Sequence, residues 1–542
     1  VSAATAEQTQ PWIRRAGGAV RGRHGIELLG ALGALAAALL LYLRYSIDGT
    51  LNRDESIYAY GGQQLAHGVP PYASIFDPKT PMATMISGLA AWLGGGGEAV
   101  PAIRIAFLCC SVLTVVAVYL LALRLWRSVP AALAGAVVFA SFTGFARDAI
   151  AGPDAKTPGI LFAVLAMWLA AGRRWYWAGF LGGLAFLVWQ PLVFYPMVAV
   201  IAAIVVAQRR LRGLVAALAG AATPVAATAV YFAAAGAFGQ FVESGFVFPL
   251  AGVKRSHETV LDRVDHIAWV VWHYYGYSGL LFALGLALLV LLIIGTVVAA
   301  RGRRRQALCD PVVLVVGLTL LGEAAYACYD FQSYPDLYPL LPYGALGIAG
   351  AVAVVLRWVG RWAAVRAVAV GVTLVAVVAL TVGAARPSET MPGDNHALPA
   401  QRAMGCALNR LVLPGTPLYS LGDPAPLVLT GRRNPDRFIY LDSGVARWKA
   451  DHTEGGFAGW TAEVRDSRAS VIVVAGWHGG LRKRMGHWLK RSGYRPGYVG
   501  RWRVFLTPRA YAHRSAAGVV TTPLPTWWPQ TPDGRDFHCP AS

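Results

Sequence analysis

Apolar runs separated by short polar breaks repeat along most of this chain, and many are of about 20 residues, long enough to cross a bilayer as a helix. The pattern predicts spans near 26–43, 103–123, 129–146, 158–172, 175–189, 192–207, 213–235, 277–299, 311–327, 340–356 and 367–385. The stretch 175–207 is too long for one span at about 1.5 Å rise per residue, and the two prolines of WQPLVFYP turn the chain in its middle. Met82 to Leu93 is shorter and runs into GGGG. If it crossed, every later arginine cluster would change sides. Placed in the interface as a juxtamembrane helix over 80–97, it leaves Arg124/Arg127, Arg173/Arg174, Arg209/Arg210/Arg212, Arg301 to Arg305 and Arg357/Arg361/Arg366 all on the cytoplasmic side.

Beyond Arg386 the periodicity changes. After a linker, VIVVAGW and WRVFLT read as strands, and 398–411 and 480–491 as amphipathic helices. The expected organisation is a basic cytoplasmic N-terminus (1–25, with Arg14, Arg15, Arg21 and Arg23), a transmembrane domain (26–386) whose first extracytoplasmic loop is 46–100, an extracytoplasmic α/β domain (387–510), and a tail rich in Pro, Thr and Trp (511–542). The fold class is thus an all-α polytopic membrane bundle of about eleven helices with juxtamembrane helices, plus a small α/β domain.

Composition agrees. The 542 residues are 56% hydrophobic and 14% charged, with mean hydropathy +0.48, which excludes a soluble globule of this size. The net charge of +20 lies in short clusters between apolar runs, which argues for the positive-inside rule and against a nucleic-acid partner. Of six cysteines, Cys109, Cys110, Cys309 and Cys328 lie in or beside apolar runs, whereas Cys406 and Cys539 fall in the polar C-terminal region, where a disulfide can form.

Charge returns in three places that topology puts on one side. The first is LNRDESIYAYGGQQLAHGVPPYASIFDPKTP (51–81), with Asp54, Glu55, Tyr58, Asp77 and Lys79. A carboxylate at a membrane mouth of low dielectric is pushed toward the range of a general base, although Asp54 also suits a plain helix N-cap. Lys79 suits phosphate binding or snorkelling to lipid phosphate. The second, ARDAIAGPDAK (146–156), holds Arg147, Asp148, Asp154 and Lys156. The third, YDFQSYPDLYPLLP, brings Asp330, Gln332, Tyr334, Asp336 and Tyr338, the acids, amide and phenols of a sugar-binding surface. The 236–276 connection adds Lys254, Arg255 and three histidines without metal-ligand spacing. No Gly-rich phosphate loop, G-x-S-x-G elbow or paired C-x-x-C is present.

The basic N-terminus, one span, then RDESIYAYGGQQLAHGVPPYASIFDPKTP resemble the GT-C superfamily of polyprenyl-phosphate-sugar-dependent glycosyltransferases. The likeness is to the branch that includes protein O-mannosyltransferases, lipid A aminoarabinose transferases and prokaryotic dolichyl-phosphate-mannose mannosyltransferases. The Asp54–Glu55 pair, Tyr-Gly-Gly, Asp77-x-Lys79-x-Pro81, Asp154 and DFQSYPDLYPLLP carry it, across about 26–386. The resemblance implies a prokaryotic plasma-membrane enzyme in which an acceptor hydroxyl on a glycan, lipid or protein attacks a sugar on a polyprenyl phosphate with inversion. Asp54 would be the general base, with Glu55 and Asp154 positioning acceptor or sugar. Lys79 and Arg147, with Lys254 and Arg255 as further candidates, would hold the phosphate; Asp77, Tyr58, Gln332, Tyr334 and Asp336 would bind sugar or acceptor. Either Asp148 or Asp154 can match the second acid, and Asp154 is preferred because it lies nearer the next span. No cofactor is required, though a divalent cation is compatible. A transporter or flippase of lipid-linked sugars is the alternative; its expected inverted repeats are lacking here, and the spans are nearly free of charge, with Glu323 the main exception.

Overall fold

The computed structural model describes residues 10–95, 99–253, 259–300, 308–359, short pieces of 368–379, and 397–514, with side chains from 24 onward. The expected span at 367–385 and most of the 511–542 tail therefore lie largely outside the described residues, as do Lys254 and Arg255.

Helix α1 (Gln10–Tyr42) is followed by two helices that lie outside the spans, α2 (Arg53–Ala66) and α3 (Met82–Leu93). At 12 residues, α3 reaches only about 18 Å, short of a bilayer core of about 30 Å. It packs on α2 through bare backbone: a Cβ on Gly62 would meet the Ser87 carbonyl carbon at 2.7 Å. Its other face leaves Leu89, Trp92 and Leu93 exposed, as an interfacial helix does.

The bundle continues with α4 (Val100–Trp126), α5 (Val129–Ala140), α6 (Thr143–Ala151), α7 (Lys156–Ala171), α8 (Trp175–Val188), α9 (Phe194–Val206) and α10 (Arg210–Ala234). The pieces α11 (Phe238–Val242) and α12 (Phe248–Ala251) lead to α13 (Val260–Ala299), α14 (Leu318–Tyr329, entered through a wide turn at Val312–Gly317) and α15 (Leu341–Val359). Among the described residues six helices are long and apolar enough to span by themselves, and α5 with α6 makes a seventh, bent by 69°. Shorter helices α7, α8 and α9 fill three more expected spans, with Trp189 extended at φ −156° and a 3₁₀ turn at Gln190–Val193 making the proline-driven reversal.

Two segments read as loops are helical. Residues 146–151 belong to α6, and α13 begins at Val260, well before the expected 277. Thr259 and Asp262 cap that early start: the Thr259 N–H donates to Asp262 Oδ2 at 2.9 Å, and the Asp262 N–H to Thr259 Oγ1 at 3.2 Å. Gly276, at φ 50° and ψ −128°, then kinks the helix in a conformation open to glycine.

The C-terminal domain is a four-stranded sheet in the order β1-β2-β4-β3, with β1 (Leu418–Leu421) parallel to β2 (Val471–Val474), and β4 (Trp502–Leu506) antiparallel to both β2 and β3 (Arg495–Val499). Strands β2 and β4 occupy the VIVVAGW and WRVFLT stretches. Helices Ala397–Leu411 and Gly480–Arg491 flank the sheet. Cys406 is in a disulfide and Cys539, its expected partner, lies outside the described residues, whereas Cys109, Cys110, Cys309 and Cys328 are free.

Candidate active site

A cleft of about 400 Å³ opens at the end of the bundle that faces the C-terminal domain, and Asp54, Lys79 and Asp154 line it together. Three separate stretches of chain meet there. The start of α2 supplies Asp54, the Asp77-Pro78-Lys79 turn supplies its own side chains, and the turn before α7 supplies Asp154.

Asn52, not Asp54, is the N-cap of α2. Glu55 closes the cap by accepting from the Asn52 backbone N–H at 3.1 Å and from its side-chain amide at 2.8 Å. Capping by Glu55 leaves Asp54 free to face the cleft, with its side chain 63% exposed and 3.5 Å from Arg53 Nε. Glu55 is buried, 3.8 Å from Arg104, and does not line the cleft. Desolvation lifts its carboxyl to about 8 against the opposing pull of Arg104.

Arg104, a fully buried residue of α4, ties this region together. Its guanidinium donates to the carbonyls of Ile47, Gly49 (2.8 Å) and Thr50 (3.1 Å) on one side and to Gly152 O (3.2 Å) on the other. The entry to α2 and the turn carrying Asp154 are thereby fixed to one rigid group. Nothing in the sequence pattern singled Arg104 out; inside an apolar run it reads as a stray charge.

The DPK turn is equally constrained. Asp77 Oδ1 accepts from the Lys79 N–H at 3.0 Å, Tyr72 donates to Lys79 O at 2.7 Å, and Gln190 donates to Pro78 O at 2.8 Å. Burial raises the Asp77 carboxyl to about 6 although Lys79 opposes it. For Lys79 burial alone would lower the ammonium's pKa, but Asp154, Asp77 and Asp54 outweigh it and raise it, so the side chain stays charged. Lys79 Nζ donates to the Tyr58 hydroxyl at 2.8 Å, which places Tyr58 beneath the cleft as a support.

A second lysine, Lys156, also lines the cleft but is neutralised by Asp336 at 2.8 Å. Asp336 in turn accepts from the Gln332 N–H at 2.7 Å and shapes the DFQSYPD turn, so that Gln332, Asp330 and Asp336 all reach the cleft. Tyr334 does not. It stacks on Tyr274 (4.7 Å between centroids) and donates to Asp148 Oδ2 at 2.9 Å, alongside Tyr338 at 2.7 Å. Arg147 lies with this buried cluster, 3.5 Å from Asp148 and donating to the Tyr334 hydroxyl at 3.1 Å, and is not on the cleft wall. Of the two second-loop acids, the cleft wall therefore holds Asp154, while Asp148 is enclosed by phenols.

The C-terminal domain completes the wall with Tyr440 and Ser443. Arg53 holds it there through Asp442, Tyr440 (3.3 Å) and the Gly476 carbonyl, and the Asn434 N–H donates to the Tyr60 hydroxyl at 2.9 Å. Trp189, contributed by the bundle, packs edge-on against Tyr326 at 5.3 Å. Neither contribution was foreseen, because each depends on residues far apart along the chain. Among the described residues no group of three or more His, Cys, Asp or Glu has metal-binding geometry.

The bundle, with helices α2 and α3 under a small sheet domain, has a fold known from solved structures. Two solved structures share it: ArnT from Cupriavidus metallidurans bound to undecaprenyl phosphate (TM-score 0.56, 13% identity, covering 88% of this chain and 97% of that one) and the same protein in the apo state (TM-score 0.56, 15% identity, 90% and 98%). No family model and no curated protein sequence matches this chain.

Proposed function

We propose that this membrane protein transfers a sugar from a polyprenyl-phosphate donor to an acceptor hydroxyl, with inversion, and that Asp54 is the general base. One observation carries the reading. An exposed carboxylate, a lysine kept charged by its neighbours and a second acid line a single cleft, in a fold shared with a protein solved with undecaprenyl phosphate bound.

Asp54 takes the acceptor proton as the acceptor oxygen bonds to the anomeric carbon. The bond from that carbon to the phosphate oxygen breaks, and the phosphate leaves with the electron pair. Such a leaving group needs no general acid, only fixed positive charge. Lys79 supplies it: its partner is the Tyr58 hydroxyl, whereas Lys156 is paired with Asp336. Asp154, Asp330 and Gln332 offer acceptors to sugar hydroxyls, and Trp189 and Tyr440 offer apolar faces to its ring. The cleft side is extracytoplasmic in this reading, with the arginine-rich end in the cytoplasm.

Incubation of the purified protein with a panel of polyprenyl-phosphate sugars tests it. One donor should raise the melting temperature and support transfer to an added acceptor. Absence of both effects across mannose, arabinose and other common donors would sink the proposal.

A further inference from the structure

Helix α4, 27 residues long, separates the acidic cleft from a second cavity at the opposite end of the bundle. This one is about 740 Å³ in volume and carries the opposite charge: Arg124, Arg127 and Arg357 line it, against one carboxylate among the described residues, that of Asp310. That carboxylate is already engaged, accepting from the Val312 N–H at 2.8 Å. Arg124 is braced where it stands, donating to Trp168 O at 2.7 Å with its guanidinium over the Trp168 ring at 4.7 Å. Trp126, also on the wall, has an indole N–H with no hydrogen-bond partner among the described residues.

The wall of this cavity is continuous with an apolar groove. Leu291 of α13 belongs both to the basic cavity and to a groove of about 770 Å³ that follows α13 past Leu286 and Leu280 toward the kink at Gly276. The helix is largely exposed along this face, with Leu291 63% accessible. A cluster of guanidinium groups at one end of a long apolar groove matches a molecule with a phosphate head and a long acyl chain. The geometry points to a binding site for an anionic phospholipid, its phosphate against Arg124, Arg127 and Arg357 and an acyl chain laid along α13. The site lies at the far end of the bundle from Asp54 and is independent of the sugar-transfer reading. Guanidinium suits this role because its fork of donors reaches two phosphate oxygens at once.

The test uses the full-length protein in detergent micelles, with thermal unfolding followed as phosphatidylglycerol, phosphatidylcholine or inorganic phosphate is titrated in. Phosphatidylglycerol should stabilise, with an effect that weakens as salt is raised; the other two should not. Arg357→Gln should weaken the apparent affinity about fivefold, and Arg124→Gln/Arg127→Gln/Arg357→Gln about 100-fold. Since the triple variant can fail to fold, the single variant and the salt series on the unaltered protein are sufficient to decide the matter without it. Equal stabilisation by phosphatidylcholine, equal stabilisation by inorganic phosphate, or an Arg357→Gln protein that responds like the parent would overturn the assignment.

Discussion

Lys79 Nζ lies 2.8 Å from the Tyr58 hydroxyl, and Asp54, Asp77 and Asp154 are close enough to hold its charge. The lysine is therefore poised for an anion in a cleft otherwise dominated by acids. Lys79→Met should weaken binding of a polyprenyl phosphate by about 10- to 150-fold, the worth of a charge-assisted hydrogen bond of about 1.5–3 kcal/mol. Isothermal titration with the sugar-free lipid phosphate measures it.

Asp54→Asn keeps the shape of the first turn of α2, whose cap is made by Asn52 and Glu55. The variant should fold and bind donor with near-parental affinity while losing about 100- to 10,000-fold in transfer rate, the range of general-base assistance. A single-turnover assay beside a donor thermal shift separates the two; unchanged turnover would remove Asp54 from the chemistry.

Arg104→Met leaves the Ile47, Gly49, Thr50 and Gly152 carbonyls without their donor. Removing one partner from a buried charged network costs about 3–5 kcal/mol. The expected result is a marked drop in melting temperature and faster proteolysis of the first loop, neither rescued by Arg104→Lys, whose single ammonium cannot serve both segments.

Glu55 gives stability a pH dependence. Its carboxyl titrates at about 8 in the folded protein against an ordinary 4.5, because burial disfavours the anion. The folded state thus holds a proton that the unfolded state releases first. This contribution is complete below the unfolded pKa and is lost as pH rises through about 8, with a limiting slope of about 1.4 kcal/mol per pH unit. Glu55→Gln, which keeps the acceptor for the Asn52 N–H, should flatten the decline in melting temperature over that window. An unaltered profile would place the titrating group elsewhere.

Sequence periodicity located the spans because lipid demands long apolar runs, and α3 was legible as interfacial through its length and the sides its choice forced on later arginines. Asp54, Lys79 and Asp154 could be read because charges beside apolar runs need a reason. What stayed hidden depends on distance along the chain. The Lys156–Asp336 pair joins residues 180 positions apart, and Tyr440 reaches the cleft from another domain. Tyr334 read as a sugar contact, yet its phenol is drawn inward by Asp148. Strands β1 (LYSL) and β3 (RPGYV) escaped notice, one for brevity and the other for its Pro-Gly pair, which weakens strand propensity.

Arg104 has a further implication for traffic through the cleft. Since one guanidinium grips both the entry to α2 and the turn before Asp154, the membrane-side rim cannot part without breaking several charged contacts at once. The opposite rim is closed against the sheet domain by buried contacts, Phe76 stacked on Phe438 at 4.8 Å and the Asn434 N–H on the Tyr60 hydroxyl, with the ion pairs of Arg53 on Asp442 and Arg437 on Glu243 beside them. Both rims are thus fixed by several contacts at once, and in the proposed reaction a bulky acceptor would meet a preformed cleft.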